Sequence, residues 1–392
     1  MTVTGIPDAI AEEFGLTPTS VRRYGGGHIN DTYLVVGSLR APGPDAPVRH
    51  EGPALRDVRE PSAGEPSGTG RWILQRINDT VFTRPVELME NVARVTRHVR
   101  GRLEAEGVPD LDRRVLTLVP AVSGADWHVD AAGQVWRVFA FISHATSHEV
   151  ITHPAQAYQA ALAFGHFQRL LADFEGPRLY ETIPRFHDTP TRYRDFAAVV
   201  SADPVGRLAG VRREVDWLLG REELAGSMMR LAAEGVLPER ITHNDTKLSN
   251  VLLDDATGEA ICVLDLDTVM PGLSLYDFAD LCRSGATTVR EDAVEASAVD
   301  VDVPMFEALA TGYLAGAGSA LLRAERELLV LAGEVMTLEQ AYRFLGDYLA
   351  GDTYYQVSRP AQNLDRARTQ IALVKALQAH EVRLNQFVAG LA

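Results

Sequence analysis

The stretch Ile241–Val269 reads ITHNDTKLSNVLLDDATGEAICVLDLDTV. It sets His243, Asp245 and Asn250 in an H-x-D-x4-N array and follows them with Asp265-Leu266-Asp267. The short apolar runs Val251–Leu253 and Ile261–Leu264 flank Asp254-Asp255-Ala256-Thr257-Gly258, a turn signal between two strands. Asn250 and Asp265 then sit at facing ends of one hairpin. These residue types suit phosphoryl transfer. A hydroxyl attacking a γ-phosphate needs a carboxylate to orient it and accept its proton, and Asp245 fits that role. Mg2+ bridging phosphates takes oxygen ligands in octahedral array, which the Asn250 amide and an Asp at the following strand's end can offer.

A chain of 392 residues is long for one domain and suits two lobes, and 46% hydrophobic content is enough for a sizeable core. The net charge of −15 argues against nucleic acid or an anionic membrane as the main partner. Of the two cysteines, Cys262 falls in an expected buried strand, which disfavours a disulfide framework and fits a reducing compartment. The first residues, MTVTGIPDAIAEEFGL, carry neither a basic n-region nor an apolar h-region, and no apolar run reaches membrane-spanning length. The expected location is cytoplasmic.

Residues 7–15 pattern as a short amphipathic helix. Arg22-Arg23-Tyr24 then leads into Gly25-Gly26-Gly27, and Thr32–Val36 reads as a strand. Glycines between two strands let backbone amides approach phosphates without a Cβ clash. The run lacks the Gly-Lys-Ser/Thr of a Walker A loop. Residues 37–70 are rich in Pro and Gly without apolar periodicity and read as a flexible insertion. Trp72–Ile77 is the next strand. It contains no lysine, so Arg76 is the cation available for nucleotide phosphates. Residues 85–105 form a helix with Leu88, Val92, Val95 and Val99 on one face. Its Glu87 or Glu90 is a candidate partner for Arg76. Thr117–Val122 and Val135–Ile142 read as two further strands, and Ser143–His148 as a polar hinge.

After residue 153 the pattern turns helical. Helices are expected over 154–174, over 205–235 as one or two, over 304–315, 325–349 and 363–389. Thr189–Phe196, Met270-Pro271-Gly272 and 285–303 read as loops or turns, and Tyr276–Leu281 opens a helix. In that helix Asp277 and Asp280 look like capping or anchoring carboxylates. Within 325–349, Val335, Leu338, Ala341, Tyr342, Leu345 and Leu349 form one stripe. Arg343 lies off it, either on a solvated face with Glu339 and Asp347 at i,i+4 spacing or lining a cleft.

The array H-N-D-x4-N, with a strand-borne Asp after it, resembles the catalytic loop of the aminoglycoside phosphotransferase/choline kinase superfamily. Further segments are similar to bacterial N-acetylhexosamine 1-kinases. They are YGGGHINDTYLV, WILQRIN with VELMENV, VLDLDTVMPGLSLYDFADLCR, and RFLGDYLAGDTYY with NLDRARTQ. The resemblance implies an α+β, protein-kinase-like two-lobe fold, with a small β-rich N-lobe at 1–143 that binds nucleotide and a larger, mostly helical C-lobe at 144–392. It also implies ATP- and Mg2+-dependent phosphorylation of an amino sugar at its anomeric hydroxyl. Asp245 becomes the catalytic base, Asn250 and Asp265 the metal ligands, and Gly25, Gly26 and Gly27 the cover of the phosphates. Arg343 and Tyr354 would hold the sugar. Alternatives are a kinase of the same fold acting on an aminoglycoside, choline, an amino alcohol or glucosamine, or a nucleotide-binding pseudokinase.

Overall fold

The longer strands lie before residue 141 and most helices after residue 153, with the short strands of the stretch 240–272 set among the helices. The computed structural model describes residues 6–25, 29–40 and 69–391. The elements begin with α1 (Ile6–Glu13), β1 (Leu16–Arg23), β2 (Asp31–Leu39), β3 (Gly70–Arg76), α2 (Pro85–Ala105) and α3 (Leu111–Arg114). Then come β4 (His128–Val129), β5 (Val135–Ala140), β6 (Ala145–Thr146), α4 (Pro154–Leu171), α5 (Thr189–Ala202), α6 (Arg212–Leu219) and α7 (Glu222–Ala233). The stretch around His243–Asp267 supplies β7 (Arg240–Thr242), β8 (Val251–Asp254), β9 (Ala260–Val263) and β10 (Met270–Gly272). The chain closes with α8 (Ser274–Gly285), α9 (Val303–Ala317), α10 (Arg323–Glu327), α11 (Leu329–Ala350) and α12 (Gln362–Ala389). Two compact units result: Met1–Ala145 with Ile261–Asp267, and Thr146–Ala260 with Thr268–Ala392.

Among the described residues, the first unit is built on an antiparallel sheet of order β1-β2-β3-β5-β4. One face buries Leu16, Val35, Trp72, Leu74, Trp136 and Val138 against Phe14 of the α1 end. The expected insertion is narrower than 37–70, because β2 runs on to Leu39 opposite Leu16 and β3 begins at Gly70. Residues 41–68 lie outside the described residues. Gly37 is required where β1 shifts register, since a Cβ there would lie 2.2 Å from the Thr17 carbonyl oxygen. The expected strand over Thr117–Val122 is not formed. That segment makes a single bridge, Leu118 to Phe139, and Pro120, which has no N–H to give, follows two residues later.

The second unit is helical and centres on α11. Its Leu338, Tyr342, Leu345 and Leu349 pack with Phe196 of α5, Leu218 of α6 and Leu364, Ile371 and Val374 of α12. Burial extends past the expected stripe to Val330, Gly333, Thr337 and Phe344, because neighbouring helices cover α11 on several sides. Two expected loops are regular structure. Thr189–Phe196 starts α5, with Asp188 accepting from the Thr191 amide as N-cap and Pro190 in the first turn. Met270-Pro271-Gly272 is β10, paired antiparallel with β7. Cys262 and Cys282 are free and buried, and burial pushes both thiols up to about 12. Among the described residues, no helix is long and apolar enough to cross a membrane.

Glu334 of α11 faces α12, where Gln378 Nε2 donates to its Oε2 at 3.2 Å. Burial, opposed by that bond and reinforced by Glu381, pushes its carboxyl from 4.5 up to about 7. Across that window the folded chain keeps a proton that the unfolded chain has lost. Stability contributed by this group therefore falls as pH rises toward 7 and levels off above. Glu334→Gln should melt above the wild type at pH 8, with the gap closing by pH 5. Equal gaps at both pH values would contradict this.

Candidate active site

The candidate catalytic loop hangs from the β7–β10 ladder, in which Thr242 pairs with Met270 and Arg240 with Gly272. Gly272 is needed there, since a Cβ would lie 2.5 Å from Thr242 Oγ1 and 2.9 Å from Asn244 Oδ1. The chain then turns at Asn244, whose φ of 65° is left-handed. Its side chain supports that conformation. Nδ2 donates to the carbonyls of Thr242 (3.1 Å) and Thr268 (2.9 Å), and Oδ1 accepts from Thr242 Oγ1 (2.8 Å). Asp277 of α8, fully buried, accepts the loop's backbone amides. Its Oδ2 accepts from His243 N (3.0 Å) and Gln168 Nε2 (2.6 Å), and its Oδ1 from Asn244 N (2.8 Å). Burial pushes the Asp277 carboxyl up, and the donors from His243, Asn244 and Gln168 offset that in part. The ring of His243 packs edge-on against Phe164 and Phe167.

Asp245 emerges from this frame half-buried. Its N–H points at His243 Nδ1 (3.3 Å), and its Oδ2 receives Lys247 Nζ (2.9 Å) and Asn250 Nδ2 (3.2 Å). Asn250 Nδ2 also donates to the Asp245 carbonyl at 2.7 Å. With its nitrogen committed to Asp245, the Asn250 amide presents its oxygen the other way, as a cation ligand requires.

Helix α11 supplies a second wall in the same unit. Its three charges at i,i+4 spacing are not a solvated face. Glu339 is fully buried and accepts from Thr189 Oγ1 (2.7 Å), and its Oε1 lies 3.0 Å from His187 Nδ1. His187 Nε2 in turn lies 3.1 Å from the Asn244 carbonyl oxygen. Asp347 is buried and accepts the amides of Thr353 (2.9 Å), Tyr354 (2.8 Å) and Tyr355 (2.9 Å), and Asn363 Nδ2 (2.9 Å). That cap sets the turn carrying Tyr354. Arg343, between the two carboxylates in sequence, has the rings of Phe186, Tyr355 and Tyr354 at 5.8, 5.6 and 5.9 Å. Tyr354 is 69% exposed, so its ring is open to an incoming molecule.

In the first unit, Asp265 is exposed with a left-handed φ of 54°, and Asp267 is buried. Asp267 pairs with the buried guanidinium of Arg137 on β5 and accepts from Asn30 Nδ2 at 2.6 Å. Asn30 Oδ1 accepts the Asn78 amide (2.9 Å), so Asp267 ties the base of the glycine loop to the DLD segment. Gly25 takes a positive φ of 74°. Gly26 and Gly27 lie outside the described residues. Arg76 is held by Asp31 on β2, with Nε at 2.9 Å, and donates to Gln134 Oε1 at 3.2 Å. Of the two carboxylates expected for it on α2, Glu87 pairs instead with Arg84 at 2.7 Å. Asp31 faces Arg76 directly across the β2–β3 ladder, a nearer source of charge. Arg137, Asp277, His187 and Glu339 were not picked out as site residues from the sequence. An arginine between Trp136 and Val138 in an apolar strand was the available signal, because a buried charge requires a partner.

A family model described as "Phosphotransferase enzyme family" matches residues 20–328. Solved structures similar to this chain include an aminoglycoside phosphotransferase from Alicyclobacillus acidocaldarius, at 16% identity and TM-score 0.56, covering 100% of this chain and 98% of that one. A choline/ethanolamine kinase family protein from Mesorhizobium loti is 19% identical, with TM-score 0.52 and 98% of each chain covered. An amicoumacin kinase in complex with AMP-PNP and Ca2+ is 14% identical, with TM-score 0.55, over 95% of this chain and 93% of that one. At such identities the likeness establishes the fold, the α+β, protein-kinase-like arrangement expected from the sequence.

Asp277→Asn would turn an amide N–H toward at least one of the donors that the carboxylate now accepts. An unsatisfied buried donor costs about 1–3 kcal/mol. The variant should melt lower and lose at least ten-fold in kcat. Wild-type kcat would show that the loop does not depend on this carboxylate.

Proposed function

Because the chain belongs to the phosphotransferase enzyme family, we propose that it transfers the γ-phosphoryl group of ATP to the anomeric hydroxyl of an N-acetylhexosamine or a related amino sugar, with Mg2+. The family match carries the reaction class, a kinase with a small-molecule alcohol acceptor. ATP is supported by the AMP-PNP held by the amicoumacin kinase. The amino sugar rests on one observation. Arg343, bordered by aromatic rings, is joined to the catalytic loop through Glu339, one turn before it on α11, and His187.

A guanidinium can donate two bonds to vicinal hydroxyls in a fixed fork, and an exposed tyrosine face suits the C–H surface of a pyranose. Asp245 acts as base. As the sugar oxygen bonds to the γ-phosphorus and the bridging P–O bond to ADP breaks, the hydroxyl proton passes to the Asp245 carboxylate. Asn250 and Lys247 hold that carboxylate in place. The donor set suits the metal. The Asn250 amide oxygen and the Asp265 carboxylate are hard oxygen ligands, the type Mg2+ takes alongside substrate phosphates, and bound Mg2+ would neutralise charge on the transferring group. The proposed nucleotide-facing groups are Gly25, Gly26, Gly27 and Arg76.

The second reading is a cationic acceptor, such as an aminoglycoside, choline or an amino alcohol, as the named relatives suggest. A guanidinium in the acceptor wall opposes it by like-charge repulsion. Asp245, Asn250 and Asp265 are all present, which speaks against a pseudokinase. The test is a panel of N-acetylglucosamine, N-acetylgalactosamine, glucosamine, choline and kanamycin with ATP and Mg2+, read by phosphorus NMR. A sugar 1-phosphate is expected, and phosphorylation of choline or kanamycin alone would overturn the reading. Losing charged hydrogen bonds costs about 1.5–3 kcal/mol. Arg343→Ala should therefore lower kcat/KM for the sugar roughly ten- to a hundred-fold with little change in ATP affinity. Unaltered sugar kinetics would remove Arg343 from the site.

A further inference from the structure

The peptide group joining Asn244 to Asp245 is gripped from both sides. Its N–H faces His243 Nδ1 at 3.3 Å, and its carbonyl oxygen faces His187 Nε2 at 3.1 Å. The other nitrogen of His187 faces Glu339 Oε1 at 3.0 Å. A carbonyl and a carboxylate can only accept, so making both bonds requires both ring nitrogens to carry a proton. Such a ring is an imidazolium, here buried beneath Tyr276 (4.9 Å between centroids) and beside Phe186 (4.5 Å). We infer that His187, charged by Glu339, is a positioning residue that fixes the Asn244–Asp245 peptide and so aims the Asp245 carboxylate. The inference rests on the reading of Asp245 as the base.

The charge balance around the ring agrees. Burial works against the charged form. Glu339 from α11, the Asn244 carbonyl and Asp280 from α8 outweigh it and hold His187 above the usual histidine range. The other charges nearby are themselves occupied. Arg343 lies one turn beyond Glu339, and Asp280 pairs with Arg283 at 2.8 Å and feels Lys247. Neutral His187 can make one of its two bonds but not both. Keeping Nδ1–H on the carboxylate leaves an Nε2 lone pair against the Asn244 oxygen. The left-handed backbone at Asn244 is then free to relax by turning that peptide. Replacing Glu339 by Gln reverses the requirement. A neutral imidazole can accept the Gln amide at Nδ1 and still donate from Nε2 to Asn244.

The test uses Mg2+-dependent transfer of the ATP γ-phosphoryl group to water, giving ADP and phosphate, which needs no sugar, together with nitrogen NMR of the histidine rings. In the wild type, the ring that His187→Leu removes from the spectrum should have both nitrogens protonated at pH 7.5. In Glu339→Gln it should be neutral with the proton on Nε2. His187→Leu should lower the hydrolysis kcat about ten-fold with KM for ATP within three-fold. Glu339→Gln should lose the fall in kcat that discharge of His187 produces at high pH. A merely structural histidine would lower the melting temperature and leave that pH limb in Glu339→Gln. A neutral His187 at pH 7.5 in the wild type, or His187→Leu within two-fold of wild-type kcat, overturns the inference. Asp245→Asn is run in parallel. If it keeps a third of wild-type kcat, the base assignment has failed rather than the tether.

Discussion

The geometry of the proposed catalytic loop depends on a carboxylate that water does not reach. Asp277 accepts two consecutive backbone amides, His243 and Asn244, while Thr246 Oγ1 donates to its carbonyl at 2.5 Å. Amides at a tight turn have no ladder partner, and leaving them bare in the interior costs about as much as a lost hydrogen bond each. One side chain from a buried helix removes that cost and fixes two peptide planes at once. Ionising it in the interior is unfavourable, and the three donors on its oxygens are what make the arrangement tolerable. The left-handed turn at Asn244 follows, because the polar side chain that satisfies Thr242 and Thr268 belongs to a residue type that tolerates αL.

The same logic extends along α11. Glu339, Arg343 and Asp347 each occupy one turn, and each organises a different piece of backbone or a ring cluster. Glu339 reaches the catalytic loop through His187, Arg343 lies among Phe186, Tyr354 and Tyr355, and Asp347 gathers the amides of 353–355. Buried polar networks of this kind are costly when incomplete, since an uncompensated partner leaves an exposed penalty of several kcal/mol in a low-dielectric interior, on the order of 3–5 kcal/mol for a broken buried pair. A helix whose other faces carry Leu338, Tyr342 and Leu345 in the core can hold such groups rigidly. In the first unit, Asp267 and Arg137 play the equivalent part, joining the DLD segment to the base of the glycine loop.

How far the sequence could be read depended on the range of the interactions involved. The H-x-D-x4-N array and the two strands after it are local patterns, and they carry the resemblance that implied the α+β fold and the proposed catalytic loop. The helix at α5 was also marked locally, by Asp188 and Pro190, but the aromatic residues after them suggested a loop. The fate of Glu339 and Asp347 was not local. Their i,i+4 spacing with Arg343 is what an exposed helix shows, and packing by α5, α8 and α12 is what buries them. Asp277 looked like an anchoring carboxylate, which it is, but its partners lie more than thirty residues away in the chain. Arg76 stood out as the cation of a strand without lysine, and pairing across the sheet gives it to Asp31, while Arg137 pairs with Asp267.

Buried acceptors hold the proposed catalytic loop rigid, and amide hydrogen exchange measures that directly. The His243 and Asn244 amides should exchange only through openings as rare as those of the α11 core, orders of magnitude slower than the exposed amide of Asp255 in the β8–β9 turn. Exchange of His243 and Asn244 at the rate of that turn would mean the loop is not clamped, and the proposed placement of Asp245 would lose its physical basis.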